Sequence, residues 1–284
     1  MTKINKFKKR TIKSCFTGFL LVAFFTIYSC NLDEKQVVAE FEELVMADEF
    51  DTNGIPNPAI WGYNIGTGEE LGLTGWGNNE LQYYTDRTEN VTVQSGKLII
   101  TAKKEDFNGS SYTSARLVTK GKFEQTYGRY EARIRVPSGK GIFPAFWLLG
   151  DDSNGTQIWP QIGEIDIMEF VGDEPTKVFG TVHGPGYSGG ESISKSYELE
   201  NDRFDAGFHV FGIEWGPNYI NFYVDNVLYN QITPEDVTGE WVFNDGPFSI
   251  IINLAIGGNL PGSPNDETIF PQSMIVDYVR VYKN

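Results

Sequence analysis

The sequence predicts an all-β protein built as a β-sandwich or a β-barrel, and three observations support this prediction. Apolar and polar residues alternate with a period of two in several short segments. Gly, Asn, Asp and Pro separate these segments about every 8–12 residues, as turns do in sandwiches and barrels. Helical periodicity is scarce, and aromatic residues make up 14% of the 284 residues, which is enough for one large core.

The predicted strands follow one another from the first third of the chain towards its C-terminus. Asp225 and Asn226 predict a tight hairpin between residues 222–224 and 227–229, because Asp and Asn tolerate the positive φ angles that such turns require. The sequence contains no evident repeat, low-complexity stretch or second domain. The clearest alternating segments are residues 97–103, 127–136, 208–215, 219–228, 248–254 and 274–282.

The N-terminal segment predicts targeting rather than folding. Residues 1–29 combine six basic residues, no acidic residue and an apolar run of about 13 residues, shorter than the ~20 that span a bilayer. They are interpreted as a signal peptide whose end resembles a bacterial lipobox, with Cys30 as the lipidated residue. An ordinary signal peptide is the alternative. Residues 30–44 are polar and acidic and predict a tether, followed by a folded domain at 45–284.

The lipobox interpretation implies an exported protein that a lipid anchors to a membrane without a spanning segment, at the outer membrane or the cell surface.

The net charge of the mature chain limits its other partners. Removal of residues 1–29 changes 23 basic and 38 acidic residues to 17 and 38, a formal charge of −21. Such a surface repels nucleic acid and disfavours a sulfated polysaccharide as substrate. With two cysteines, both near the N-terminus, and two histidines, neither disulfides nor a zinc centre is expected.

Three acidic residues in the segment 159–170 are the strongest candidates for chemistry. Glu164 and Asp166 share one face of a strand, and Glu169 shares it only if a β-bulge at residues 167–168 adds one residue. Crowded acids repel one another, so at least one pKa is expected to rise. Glycoside cleavage uses two carboxyl groups with separated pKa values. A solvated acidic strand and a calcium site are the alternatives.

The segment 164–169, Glu-Ile-Asp-Ile-Met-Glu, resembles the signature of glycoside hydrolase family 16. The inserted Met is typical of its β-1,3-glucanases (laminarinases), agarases and carrageenases, whereas lichenases usually lack it. Other segments that resemble the family follow one another in the family's order. They are residues 76–84, 128–133, 144–149, 181–184, 211–215, 253–259 and 277–282. The laminarinase-like assignment depends mainly on residues 76–84 and 253–259.

The resemblance implies a jelly-roll β-sandwich, similar to concanavalin A, with an open substrate cleft on its concave sheet. It also implies that Glu164 is the nucleophile, that Glu169 is the general acid/base and that Asp166 tunes both. The implied reaction is endo-hydrolysis of β-1,3-glucosidic bonds in laminarin-type glucans by double displacement, with retention.

Residues outside the carboxylates are candidates for substrate binding. Trp147 and Trp159 are predicted to stack under sugar rings, while burial in the core is the alternative. His183 is expected to reach the acid/base residue or the leaving sugar. Trp76 could have either role, sugar stacking or core packing. Trp215 and His209 are expected to be structural. The candidates for hydrogen bonds to sugar hydroxyls, otherwise polar groups of the fold, are Asn78, Glu80 and Arg129.

The family resemblance further implies a structural calcium remote from the cleft, with ligands at Glu49, Gly96 and Asp277, and no organic cofactor. The protein is expected to be a monomer. Three rival functions remain at this point. The same fold could cleave mixed-linkage glucan, agarose or carrageenan; it could transfer glycosyl groups; or the protein could be a surface lipoprotein that binds glycan without cleavage.

Overall fold

The computed structural model describes residues 41–151 and 158–283, all of which lie in one compact unit, residues 35–284. The predicted signal peptide, Cys30 and most of the predicted tether lie outside the described residues. Within the described residues there is no α-helix, and the short 3₁₀ turns are Glu69–Leu71, Thr74–Gly77 and Gly189–Glu191. In this part of the chain no helix has the length and apolar character that a bilayer crossing requires.

The described strands form two sheets. The first contains β1 (Glu43–Asp48), β3 (Gln82–Tyr84), β4 (Val91–Val93), β5 (Leu98–Phe107), β6 (Ser110–Ser114), β9 (Gly128–Arg135), β14 (His209–Gly216), β15 (Tyr219–Val224), β16 (Val227–Ile232) and β18 (Gln272–Lys283). Their order is β16-β15-β14-β9-β18-β5-β6-β3, with β1 beside β18 and β4 beside β5. All pairs are antiparallel except β3 with β6.

The second sheet carries the acidic motif. It contains β2 (Gly62–Tyr63), β7 (Arg116–Val118), β8 (Glu124–Gln125), β10 (Ile142–Gly150), β11 (Glu164–Glu169), β12 (Lys177–His183), β13 (Ile193–Glu198) and β17 (Phe248–Ile256). Their order is β13-β12-β11-β10-β17-β7-β2, with β8 beside β17. One hydrophobic core joins inward side chains of both sheets, which confirms the predicted jelly-roll sandwich.

Burial explains which strands the sequence revealed. In β9, Tyr130, Ala132 and Ile134 are in the core while the intervening residues point away, so the strand alternates visibly. All nine residues of β17 are buried, because other side chains also cover its outer face. A strand buried on both faces tends towards an apolar run, and residues 250–252 of this predicted alternating segment are three consecutive isoleucines.

The turns and edges mostly follow the predictions. Asp225 and Asn226, with φ angles of 50° and 66°, connect β15 to β16 as the predicted tight hairpin. The first strand begins at Glu43, so the last two residues of the predicted tether already lie in a sheet, where Glu43 pairs with Lys283. Gly96 lies in the turn between β4 and β5 with φ 71°. Trp215 is fully buried, as expected.

Candidate functional site

The three acidic residues leave β11 on the same side. Opposite β10, the pairing shifts by one residue between Asp166 and Met168, so Ile167 is the extra residue of a β-bulge. Ile167 and Met168 are both buried in the core. The predicted bulge is therefore confirmed, and Glu164, Asp166 and Glu169 all lie on the outer face of the second sheet. We call this surface, which also carries outward residues of β7, β10, β12 and β17, the cleft face.

Burial raises the pKa values of all three carboxyl groups. The pKa of Glu164 is raised to about 8, first by burial and then by the charge of Asp166. Burial and the charge of Glu169 raise the pKa of Asp166, and burial raises that of Glu169. Asp166 is only 4% exposed, the lowest of the three, so we assign the most firmly held proton to it. The group therefore does not carry three charges at neutral pH.

Trp159 contacts the carboxyl group of Glu164 directly. Its indole Nε1–H donates to Glu164 Oε2 at 2.8 Å, while 43% of the residue stays exposed. Its ring also lies near the His183 ring, with 5.8 Å between the centroids. The structure thus places the predicted sugar platform beside the acids, and its N–H stabilises the ionised form of Glu164.

His183 faces the same carboxyl groups from β12. Its Nε2 lies 3.1 Å from Asp166 Oδ2 and 3.9 Å from Glu164 Oε1. The backbone N–H of Gly189 donates to His183 Nδ1 at 3.1 Å, which assigns the ring proton of the neutral form to Nε2.

One donor atom each of Glu164, Asp166 and His183 lies within 4.8 Å of the others, a spacing that could hold a metal ion. The tautomer argues against a metal, because Nε2 carries the proton where the ion would need a lone pair. The calcium alternative for these acids is therefore not favoured, and the arrangement fits a proton donor that faces Asp166 and Glu164.

Glu169 is held from the neighbouring strand. The hydroxyl of Thr181 on β12 donates to Glu169 Oε2 at 2.7 Å, and Thr181 Oγ1 lies 2.9 Å from Ser194 Oγ on β13. Thr181 lies in one of the segments that resemble the family, but its side chain was not among the predicted site residues. Period-two alternation could have revealed it, because Thr181 and His183 share one face of β12.

Arg116 is a buried cation that the sequence analysis missed. Its guanidinium lies between two indoles, 4.5 Å from the Trp76 ring centre and 4.7 Å from that of Trp147. It is 9% exposed, and its side chain makes no hydrogen bond or ion pair with the described residues. The charges of Glu80 and Glu164 act on it. The only sequence signal was its place between two apolar residues, Ala115 and Leu117.

A hydrogen-bond chain connects the predicted binding residues on this side. Trp147 Nε1–H donates to Asn253 Oδ1 at 2.7 Å, Asn253 Nδ2 donates to the Tyr84 hydroxyl at 3.0 Å, and that hydroxyl donates to Glu80 Oε2 at 3.0 Å. Gln82 also donates to Glu80, at 2.7 Å. Trp147 is thereby held half-buried, with an indole face available on the cleft face.

Asn78 and Glu80 lie where the segment 76–84 contacts the segment 253–259, the two segments that most resemble a laminarinase. Asn78 accepts the backbone N–H of Asn259 at 3.2 Å and lies 3.4 Å from Glu80. Burial raises the pKa of Glu80, although the charge of Arg116 opposes this. The segments 76–84 and 253–259 thus form one wall beside the cleft face, and they place Asn78, Glu80 and Trp76 together.

Arg129 does not join this group, and its prediction as a sugar ligand is wrong. Tyr130 packs in the core, so Arg129 points to the outer face of the first sheet. There its guanidinium donates to Glu131 at 3.0 Å, to Glu214 at 3.2 Å and to Asn226 at 3.0 Å. Its charge and donors are used within the fold.

Two of the three predicted calcium ligands, Glu49 and Asp277, pair with basic side chains of the first sheet. Asp277 binds Lys97 Nζ at 2.7 Å and Arg133 Nη1 at 2.5 Å, and these contacts lower its pKa although burial opposes the shift. Both oxygens of Glu49 accept from Arg280, at 2.7 and 3.0 Å. A calcium ion bound by these carboxylates would have to displace the basic side chains that neutralise them.

Comparisons with known proteins agree with this geometry. The sequence profile of "Glycosyl hydrolases family 16" matches residues 78–279. A beta-glucanase of Rhodothermus marinus is 44% identical over 296 aligned positions, which cover 100% of this chain and 97% of that protein. The laminarinase catalytic domain of Thermotoga maritima superimposes with a TM-score of 0.80 at 48% identity, over 85% of this chain and 98% of that one. The endo-beta-1,3-glucanase of Pyrococcus furiosus gives 0.79 at 49% identity, over 84% and 94%.

Proposed function

Because this chain belongs to glycosyl hydrolase family 16, we propose that it is a retaining endo-hydrolase of β-1,3-glucosidic bonds in laminarin-type glucans. The observation that carries the proposal is the bulged strand that brings Glu164, Asp166 and Glu169 to one face, where no Lys or Arg of the described residues pairs with them. Relatives named laminarinase or endo-1,3-β-glucanase, at 48–49% identity, support β-1,3-glucan over the rival substrates.

In the first step Glu169 protonates the glycosidic oxygen while the Glu164 carboxylate attacks the anomeric carbon. The bond from that carbon to the leaving oxygen breaks, and the new sugar hydroxyl keeps the proton of Glu169. A glycosyl ester on Glu164 results. Asp166 holds a proton between the two, so Glu164 can ionise without a third adjacent charge.

In the second step Glu169, now a carboxylate, takes a proton from water, and the water oxygen attacks the same carbon. Glu164 leaves as a carboxylate, and the Trp159 N–H stabilises its charge at 2.8 Å. Two inversions give overall retention.

The wall beside β7 and β10 suits the sugar units on the glycone side. Trp147 offers an apolar ring for the C–H face of a glucose unit, and Arg116, whose donors are unused in the described structure, offers N–H groups to sugar hydroxyls. Glu80 and Asn78 add acceptors on the same wall. A neutral, hydroxyl-rich substrate fits this set of groups.

The first experiment measures reducing-end release by residues 31–284 on laminarin, lichenan, agarose and κ-carrageenan. We expect laminarin to be cleaved fastest, and Glu164→Ala and Glu169→Ala to lose at least about 10³-fold in kcat. On 2,4-dinitrophenyl β-laminaribioside, whose leaving group needs no acid, azide should restore the two variants with opposite stereochemistry, giving the α-glycosyl azide with Glu164→Ala and the β-glycosyl azide with Glu169→Ala. Binding of glycans without any cleavage by the unmodified protein would favour the rival lipoprotein that only binds.

Export and lipid anchoring are proposed from the N-terminal sequence alone. Basic residues, an apolar run and Cys30 support a lipoprotein at the outer membrane or cell surface. Membrane fractionation with labelled palmitate tests this, since Cys30→Ser should release the protein without label. An unlabelled, secreted wild type would exclude the anchor.

Structural calcium at Glu49, Gly96 and Asp277 stays a prediction, and the ion pairs of Asp277 count against it. Calcium binding there requires Asp277 to exchange a cation. Calorimetry with added Ca²⁺ and with EDTA, on the wild type and on Asp277→Asn, decides between these possibilities: equal Tm values under both conditions exclude a structural role.

A further inference from the structure

The acid/base residue has a single hydrogen-bond partner in the described part of the chain, and that partner is a hydroxyl. Thr181 donates to Glu169 Oε2 at 2.7 Å. Thr181 is 3% exposed, so water does not readily replace this contact. The other oxygen of Glu169 is left to face the substrate. The position of that oxygen therefore depends on how firmly Thr181 holds its neighbour.

Thr181 is itself held by a residue on the sheet edge. Its Oγ1 lies 2.9 Å from Ser194 Oγ, and β13, which carries Ser194, is the last strand of the second sheet on that side. Ser194 is exposed to solvent. A chain of two hydroxyl groups thus runs from the buried acid/base residue to water.

We propose that Thr181 is a positioning residue for Glu169 and that Ser194 orients its hydroxyl, a role that rests on the function proposed above. A hydroxyl has one proton and two lone pairs, so it can donate to one neighbour while it accepts from the other. When Glu169 is a carboxylate, Ser194 donates to Thr181 and Thr181 donates to Glu169. When Glu169 carries its proton, the proton is on the oxygen that faces the substrate, so Oε2 is a carbonyl oxygen and still accepts from Thr181.

This constant hydrogen bond suits the two steps of the reaction. Glu169 must be an acid in the first step and a base in the second, and the same oxygen loses and takes up the proton. The Thr181 hydroxyl holds Oε2 in both states, so the oxygen that faces the substrate keeps its position. Ser194 is exposed, so water can complete its hydrogen bonds while it donates to Thr181.

The key variants are Thr181→Val, which removes the hydroxyl at similar size, and Thr181→Ser, which restores it. On laminarin we expect Thr181→Val to lower kcat/KM about tenfold and Thr181→Ser to recover most of it. A 2,4-dinitrophenyl β-laminaribioside needs no acid for its first step. Its kcat/KM should stay within about twofold, while its kcat falls, since the second step needs Glu169 as a base.

The hydroxyl also stabilises the charged form of Glu169, so its loss should make Glu169 a weaker acid. The alkaline limb of kcat/KM on laminarin should therefore move to higher pH in Thr181→Val. NMR titration of ¹³C-labelled glutamate carboxyl groups, with Glu169 assigned from Glu169→Gln, should show the same shift. This readout does not depend on activity, so it tests the positioning role even if the wild type cleaves no laminarin.

Ser194→Ala should show the same pattern more weakly, and the matched control is Ser196→Ala, two residues along the same strand and opposite Phe179. If Thr181 had only a structural role, Thr181→Val would reduce kcat/KM equally on all substrates and would lower Tm. Equal losses on laminarin and on the dinitrophenyl substrate, or an unchanged titration of Glu169, would overturn the proposal.

Discussion

Two arginines on opposite sides of the sandwich are equally buried, at 9% exposure, and differ in every contact. Arg129, on the outer face of the first sheet, donates to Glu131, Glu214 and Asn226. Arg116, on the cleft face, stacks between Trp76 and Trp147 and makes no hydrogen bond with the described residues.

The same contrast holds for the acids. Glu131 and Glu214 are buried beside a cation, whereas Glu164, Asp166 and Glu169 are buried beside one another. Burial of an uncompensated charge destabilises a fold, so a protein keeps such charges where a ligand or a reaction uses them. The comparison indicates that paired charges mark the structural face and unpaired charges mark the functional face.

The largest expected effect on stability comes from the paired arginine. Arg129→Met leaves Glu131 and Glu214 buried without their partner, so we expect a loss of about 3–5 kcal/mol in the free energy of unfolding. The kcat on laminarin, measured well below Tm, should stay within about twofold. Urea denaturation and initial rates provide the two measurements. A fall in kcat with intact stability would break the comparison.

Arg116→Met is the matched variant on the cleft face. No described residue loses an ion pair, so stability should change by less than about 1 kcal/mol. The kcat/KM on laminarin should fall about 10- to 100-fold, equivalent to the roughly 1.5–3 kcal/mol of hydrogen bonds to a charged group. The same denaturation and rate assays apply, and a large loss of stability with normal kcat/KM would assign Arg116 to the fold instead.

Glu164→Gln should stabilise the protein while it abolishes activity. Burial raises the pKa of Glu164 from 4.5 to about 8, so the folded state holds a proton that the unfolded state releases above pH 4.5. The wild type therefore loses stability as pH rises from about 4.5 to 8, and the variant loses less, because only the raised pKa values of Asp166 and Glu169 remain. We expect the variant to gain up to about 4–5 kcal/mol by pH 8 and little at pH 4.

The control for this pH dependence is Glu131→Gln, which removes a buried acid that has a cationic partner. It should destabilise the protein at neutral pH, opposite in sign to Glu164→Gln. Tm measured from pH 4 to 8 for all three proteins sharpens the contrast between the faces. A parallel pH dependence of wild type and Glu164→Gln would show that Glu164 titrates normally.

Local patterns predicted the fold and the acidic motif well. Alternation revealed strands with one solvated face, such as β9, and Asp225-Asn226 revealed a hairpin. The bulge followed from the need to bring Glu169 back to the face of Glu164. These features depend on neighbours in sequence, which a single chain displays directly.

Contacts between distant strands were harder to predict. Arg129 and Arg116 are both arginines on strands, and only the sheet that each strand joins decides between an ion-pair partner and a cleft residue. The Thr181 hydroxyl contacts Glu169 only because β12 pairs with β11 across the bulge. The contacts of Asp277 with Lys97, just before β5, and with Arg133 on β9 likewise depend on how distant strands pair.

The bulge in β11 also has an evolutionary consequence. Elsewhere in a strand, insertion or deletion of one codon reverses the facing of every later residue, and selection would remove it. At Ile167–Met168 the extra residue is absorbed locally, since deletion of Met168 would place Glu169 two positions after Asp166, on the same side as before. This point of the gene can therefore gain or lose one codon while both catalytic groups persist, so lineages can diverge in length here without losing the reaction.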